Sequence, residues 1–123
     1  MGPLALTRLV SAMTVKTIHV REDFTEFPGG RYREDGTFSG EEFRHDFLIP
    51  ALDAFDQVLI VLDGTAGYPS SFLEEAFGGL VRSGYSRAVL AKKLEIQAID
   101  PHYSTYRALA EKYISEAKMV AAA

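Results

Sequence analysis

The 123 residues include no cysteine, which excludes thiolate zinc sites, thiol nucleophiles and redox switching and suits a reducing cytoplasm. Long apolar runs are missing too: none approaches the roughly 20 residues that a bilayer-spanning helix needs. Positive charge is in deficit. The 17 acidic residues outnumber the 13 Lys and Arg for a net charge of −4, which opposes attraction to nucleic acid or anionic lipid. Gly64-Thr65-Ala66-Gly67 has neither the Gly-Lys-Ser/Thr ending of a phosphate loop nor the glycine spacing of a dinucleotide fold. There is no Gly-x-Ser-x-Gly elbow, and His19, His45 and His102 fall on separate elements, so spacing assembles no catalytic triad. Asp53 and Asp56 belong to a helix end and Asp63 to a strand end, which does not make a metal site. The expectation is a chain without metal or cofactor.

What is there suffices for one hydrophobic core, since 47% of the residues are apolar and a chain of this length buries most of what it exposes unfolded. Residues 1–13 read as an N-terminal extension, a cloning remnant or sequence upstream of a start at Met13. Arg8 interrupts the apolar Leu4, Leu6, Leu9 and Val10, unlike the unbroken stretch of a secretory leader. Residues 14–123 read as a single domain.

Thr14–Val20 is rich in β-branched residues and reads as a strand, as does Leu94–Ile99 with Leu94, Ile96 and Ala98 on one face. Gln57–Asp63 is a continuous apolar run of strand length, which predicts a central strand covered on both faces. Between the first two strands, Asp23–Thr37 is dense in turn formers and reads as a hairpin or ordered loop. Its Arg31 and Arg33 would point the same way in an extended segment, as an anion clamp or as solvated edge charges.

Ser39-Gly40-Glu41-Glu42 is a capping box opening a helix with Phe43, Phe47, Ala51 and Phe55 on one stripe, and Pro50 predicts a kink or restart after Ile49. A second helix follows Pro69, with Ser70 or Ser71 as N-cap, Glu74 or Glu75 completing a box, and Phe72, Leu73, Ala76, Phe77, Leu80 and Val81 as the buried stripe. Its other side carries Glu75, Gly79 and Arg82, with Gly78 beside them. Two mid-helix glycines each cost roughly 1 kcal/mol against alanine, so they imply either close packing inside the fold or a flat face that a partner approaches. A short helix from Ser86 to Lys92 and a last helix opened by Asp100-Pro101 complete the chain, the latter with Tyr106, Leu109, Ala110, Tyr113, Ala117 and Val120 facing the core.

Three segments look familiar together: Ser39-Gly40-Glu41-Glu42-Phe43-Arg44, then Asp63-Gly64, then Ser70-Ser71-Phe72-Leu73-Glu74-Glu75-Ala76-Phe77-Gly78-Gly79-Leu80. From about Val15 to Asp100 the chain resembles the STAS-like domain family, relatives of anti-sigma-factor antagonists. The resemblance implies an α/β fold with a mixed sheet of four to five strands and helices mainly on one side. It also implies a non-enzymatic regulatory module that binds protein, cytoplasmic, its partner a histidine-kinase-like ATPase or an anti-sigma factor. Antagonists carry a phosphorylated serine in the loop before this helix; the matching residue is Ser70, with Ser71 second, although Pro69 stands where an aspartate usually precedes it. A cap and a phosphosite are both open readings of that pair. The docking face is then Glu74, Glu75, Gly78, Gly79 and Arg82, for a partner or for a second copy in a homodimer. The reading from another class is a small nucleotide-binding domain or enzyme with a cleft formed by Asp63, Ser70 and the Arg31/Arg33 loop.

Overall fold

The computed structural model describes residues 13–119; expectations placed on residues 1–12 and on Val120 lie outside them. Three strands form the sheet in the order β1 (Val15–His19), β2 (Gln57–Val61) and β3 (Leu94–Gln97), with both pairings parallel. Ile18, Ile60 and Ile96 stand in one row across it. The four to five strands expected are therefore corrected to three among the described residues, and the mixed sheet to a parallel one. Of the hairpin or ordered loop expected over Asp23–Thr37 the structure has the loop, with a π turn (Val20–Phe24) leading into it and a 3-10 turn (Arg33–Asp35) within it.

Parallel neighbours need crossovers, and helices supply them. Helix α1 (residues 40–54) joins β1 to β2, while α2 (residues 70–82) and α3 (Arg87–Lys93) join β2 to β3. A 3-10 turn (Pro101–Tyr103) leads into α4 (Ser104–Glu116). One face of the sheet, with Ile18, Val58, Ile60 and Ile96, merges with Phe43, Leu48, Phe72, Phe77, Leu80 and Ala110 in a single core. The opposite face carries the exposed Thr17, His19 and Glu95 and the half-buried Leu59. On β2 itself Val58 and Ile60 are buried on the first face, and on the second Val61 is buried and Leu59 half-buried, so covering of the second face is confined to the end of the strand.

The α1 stripe falls as its spacing predicts: Phe43 and Ala51 are buried, and Phe47 and Phe55 pack on the core from its margin. Phe24, at the end of the π turn, joins it with ring centroids 5.0 Å from Phe43 and 5.1 Å from Phe47. Ser39 caps α1 by accepting from the Glu42 amide at 3.0 Å. The Glu42 carboxylate reaches back one residue beyond the cap, to the Phe38 amide at 3.1 Å, and holds Phe38 at φ 58. The α-helix resumes at Ile49 with Pro50 in its first turn. A π turn over Arg44–Leu48 comes first, with the Ile49 amide donating to the Arg44 carbonyl, so the ladder shifts register just where proline has no N–H to offer.

The rings of Phe43, Phe72 and Phe77 are fully buried and mutually in contact around Phe43. Phe43→Ala is expected to destabilise the fold by about 3–5 kcal/mol, read as a lower urea midpoint with an unchanged slope.

Candidate functional site

Helix α2 is central to the molecule, and its second face is as enclosed as its first. Gly78 and Gly79 are both buried. A Cβ on Gly79 would collide with the Arg44 guanidinium, and one on Gly78 would lie 2.6 Å from Glu74 Oε2 and 3.4 Å from the Tyr113 carbonyl. The expected open docking flank is corrected accordingly: the glycines make room for a side chain inside the monomer.

That side chain is Arg44. It and Glu75 are each only 9% exposed, and Arg44 Nη1 donates to Glu75 Oε2 at 2.7 Å. The same nitrogen donates to the Glu75 main-chain carbonyl. This carbonyl is available because α2 contains its own π turn, Glu74–Gly78, in which the Gly79 amide reaches back to Glu74. Glycine at 79, the π turn and Arg44 are therefore one arrangement. Around it, Arg31 donates to Glu74 at 2.6 Å and to Glu75 at 3.3 Å, and Arg82 grips Glu74 at 2.7 and 2.9 Å. The two guanidinium groups, Arg82 foremost, hold the Glu74 carboxyl below its ordinary range.

The two loop arginines diverge instead of forming a clamp. Arg31 is neutralised by Glu74 and Glu75, whereas Arg33 pairs with Asp46 at 2.7 Å on the surface of α1. Asp63 accepts from the amides of Ile99 at 2.9 Å and Asp100 at 2.7 Å. Of the residues of the expected Asp63, Ser70 and Arg31 cleft, Asp63 and Arg31 turn their polar groups to the chain's own contacts. No cluster of metal-ligating side chains occurs among the described residues.

The loop from Gly64 to Pro69, at the carboxyl end of β2, is fastened by three tyrosines. Tyr68 donates its hydroxyl to the Leu62 carbonyl at 2.8 Å, and burial pushes its phenol pKa up. Tyr103 donates to the Thr65 carbonyl at 2.5 Å. Tyr106 lies edge-on to Tyr68 with ring centroids 5.3 Å apart and leaves no room for a side chain at Gly67, whose φ is 123. The loop ends at Pro69, which is the N-cap residue of α2 and makes no side-chain cap. Ser70 and Ser71 thus sit inside the first turn, Ser70 exposed and Ser71 half-buried, instead of capping it. Two large apolar side chains flank this loop in the open, Phe27 at 65% and Ile99 at 75% exposure. Phe27 is placed by the neighbouring Glu26 carbonyl, which accepts from Ala66, and Ile99 by its amide on Asp63.

Sequence reasoning missed the buried pair, the tyrosine fastening and the two exposed apolar residues. The mid-helix glycines were the usable signal for the first, because a glycine that costs helix stability must admit something.

A parallel α/β sheet backed by helices, with a structured loop at the carboxyl end of its central strand, defines the class. A family described as STAS-like domain of unknown function (DUF4325) matches residues 39–103, just over half of the chain, and the chain belongs to it. No curated protein matches the chain, and no solved structure does. Among the described residues, no helix is long and apolar enough to cross a membrane.

Gly79→Ala should lower stability by about 1–3 kcal/mol although alanine is the better helix former, and Glu75→Ala by about 3–5 kcal/mol because it strands the Arg44 charge. Thermal unfolding of both variants checks this. The Glu74 pairs contribute stability that is complete above the ordinary carboxyl value of 4.5 and is lost as pH falls through the lower folded value. The urea midpoint of the native chain is expected to drop with acid below that point, and that of Glu74→Gln to drop less.

Proposed function

We propose that the chain is a non-enzymatic regulatory module that binds a protein partner through the loop end of its sheet. The contact surface in this reading is Phe27, the Gly64–Pro69 loop, Ser70 and Ile99. The observation that carries it is the pair of large apolar side chains left in water beside a loop that is already fixed. Exposed apolar groups of this kind mark contact surfaces. A loop pinned by Tyr68, Tyr103 and Tyr106 loses little further freedom on binding, which lowers the cost of association.

Family membership supports protein interaction in general terms. The finer reading is a module like the anti-sigma-factor antagonists, cytoplasmic, with a histidine-kinase-like ATPase or an anti-sigma factor as partner. Exposure of Ser70 in the first turn of α2 supports it as the residue such a kinase would modify, ahead of the half-buried Ser71. A phosphate there would add up to two negative charges at the centre of the contact surface and close to helix amides.

The test is calorimetric titration of the chain with a histidine-kinase-like ATPase encoded beside it. Binding is expected, with Phe27→Ser and Ile99→Ser each weakening it at least about tenfold and Ser70→Asp releasing the partner. Binding that ignores all three substitutions places the contact elsewhere. Titration with ATP and GTP alone is expected to give no heat; heat or hydrolysis would favour the nucleotide-binding alternative.

A further inference from the structure

β3 is an edge of the sheet among the described residues, and Glu95 is its single charged residue. The Gln97 carbonyl accepts from the amide of Leu62, the residue after β2. Backbone groups of successive residues point to opposite sides of a strand, so those of Glu95 and Gln97 face β2 while those of Leu94, Ile96 and Ala98 face outward. Edge strands are usually protected by lysine, proline or a bulge. The stretch Leu94-Glu95-Ile96-Gln97-Ala98-Ile99 has no lysine and no proline before Pro101. At the opposite edge β1 carries Lys16.

An open groove runs beside this β3 edge, floored by Leu90, Leu94, Ile96 and Ile114 and reaching Glu111 of α4. It continues past Gln97 to Ile99, where Arg107 joins Glu111 on the rim. Ile114 lines only the Leu94 end of the groove, Arg107 only the Ile99 end and Glu111 both, so α4 runs back along β3. Arg107 and Glu111 are four residues apart on the exposed face of α4, with 3.9 Å between Arg107 Nε and Glu111 Oε1.

We propose that two copies of the chain associate edge to edge along β3, antiparallel across a two-fold axis at Gln97, making one six-stranded sheet. The charges on α4 select this occupant and this register. With the axis at Gln97, Arg107 faces the partner's Glu111 and Glu111 faces the partner's Arg107. With the axis at Ile96, Glu111 would oppose its own copy. In the chosen register Ile96 and Ala98 exchange main-chain hydrogen bonds with the partner's Ala98 and the partner's Ile96, and the two Gln97 side chains meet as neutral amides. The surface is self-complementary, as a two-fold interface requires. It lies along the flank of the sheet and does not depend on the protein-partner reading of the loop end.

The absence of cysteine makes the test direct. Residues directly opposite at a non-hydrogen-bonded position of an antiparallel pair have Cα atoms about 4.5 Å apart, within disulfide range. Gln97→Cys is expected to form a covalent dimer on mild oxidation, whereas Thr17→Cys, on the far strand, stays monomeric under the same conditions. Light scattering of the native chain should report twice the 13.6 kDa chain mass. Glu111→Arg is expected to weaken the dimer about tenfold, and Arg107→Glu with Glu111→Arg to restore it. A native monomer at every concentration overturns the proposal. So does a dimer indifferent to Glu111→Arg, or a monomer whose Ile96 and Ala98 amides resist hydrogen exchange because residues 120–123 cover the edge.

Discussion

Everything else in this molecule is arranged around a buried ion pair between two helices. Arg44 of α1 and Glu75 of α2 are withdrawn from water together, and an isolated charge in that position would cost several kcal/mol. The cost is offset by geometry. Arg44 meets both the carboxylate and the main-chain carbonyl of Glu75, and Arg31 adds a second donor to the same carboxylate. A regular α-helix would leave the Glu75 carbonyl tied to the amide four residues on. The π turn redirects that amide to Glu74, and Gly79 removes the side chain that would stand in the guanidinium's path. A backbone irregularity, a glycine and a charge pair thus explain one another.

These features were unequally visible in the sequence. The three strands, the stripes of α1 and α2 and the cap at Ser39 follow from local periodicity and hydrogen-bonding capacity, which short segments carry by themselves. Arg44 and Glu75 do not announce burial, because Arg44-His45-Asp46 and Glu74-Glu75 read as solvated helix faces; only contacts between elements, 31 residues apart in sequence, draw them inside. The same holds for the strand count. Asp23–Thr37 has the glycines of a hairpin, but Phe24 and Phe38 turn toward the aromatic cluster, 5.5 Å apart edge to face, and hold the segment in a loop. Packing of rings overrode the pairing that turn residues alone suggest.

The tyrosine fastening follows a similar logic at the other end of the sheet. Gly64 and Gly67 adopt positive φ, so the loop after β2 has a backbone that few residues tolerate. Left to itself, a six-residue loop with two glycines would sample many conformations. Tyr68 holds it to the end of β2, and Tyr103 and Tyr106 hold it to the opening of the last helix. Two elements far apart in sequence thereby present one preformed surface, and the first turn of α2 is aimed by that surface rather than by a serine cap.

Enclosure of α2 also decides where recognition can take place. A helix buried on both faces offers a partner only its ends, and Gly84 closes one end with a positive φ while Pro69 and Ser70 expose the other. The covered face of the sheet is occupied by α1, α2 and α4. Besides the sheet's other face, with Thr17, His19 and Glu95, the loop end with Phe27 and Ile99 and the flank of β3 with its outward main-chain groups remain accessible. The buried charge pair therefore does more than hold two helices together. By drawing the glycine flank inward it removes the broad helical face from the surface and leaves a loop rim and a strand edge, whose shapes are set largely by backbone, in the open.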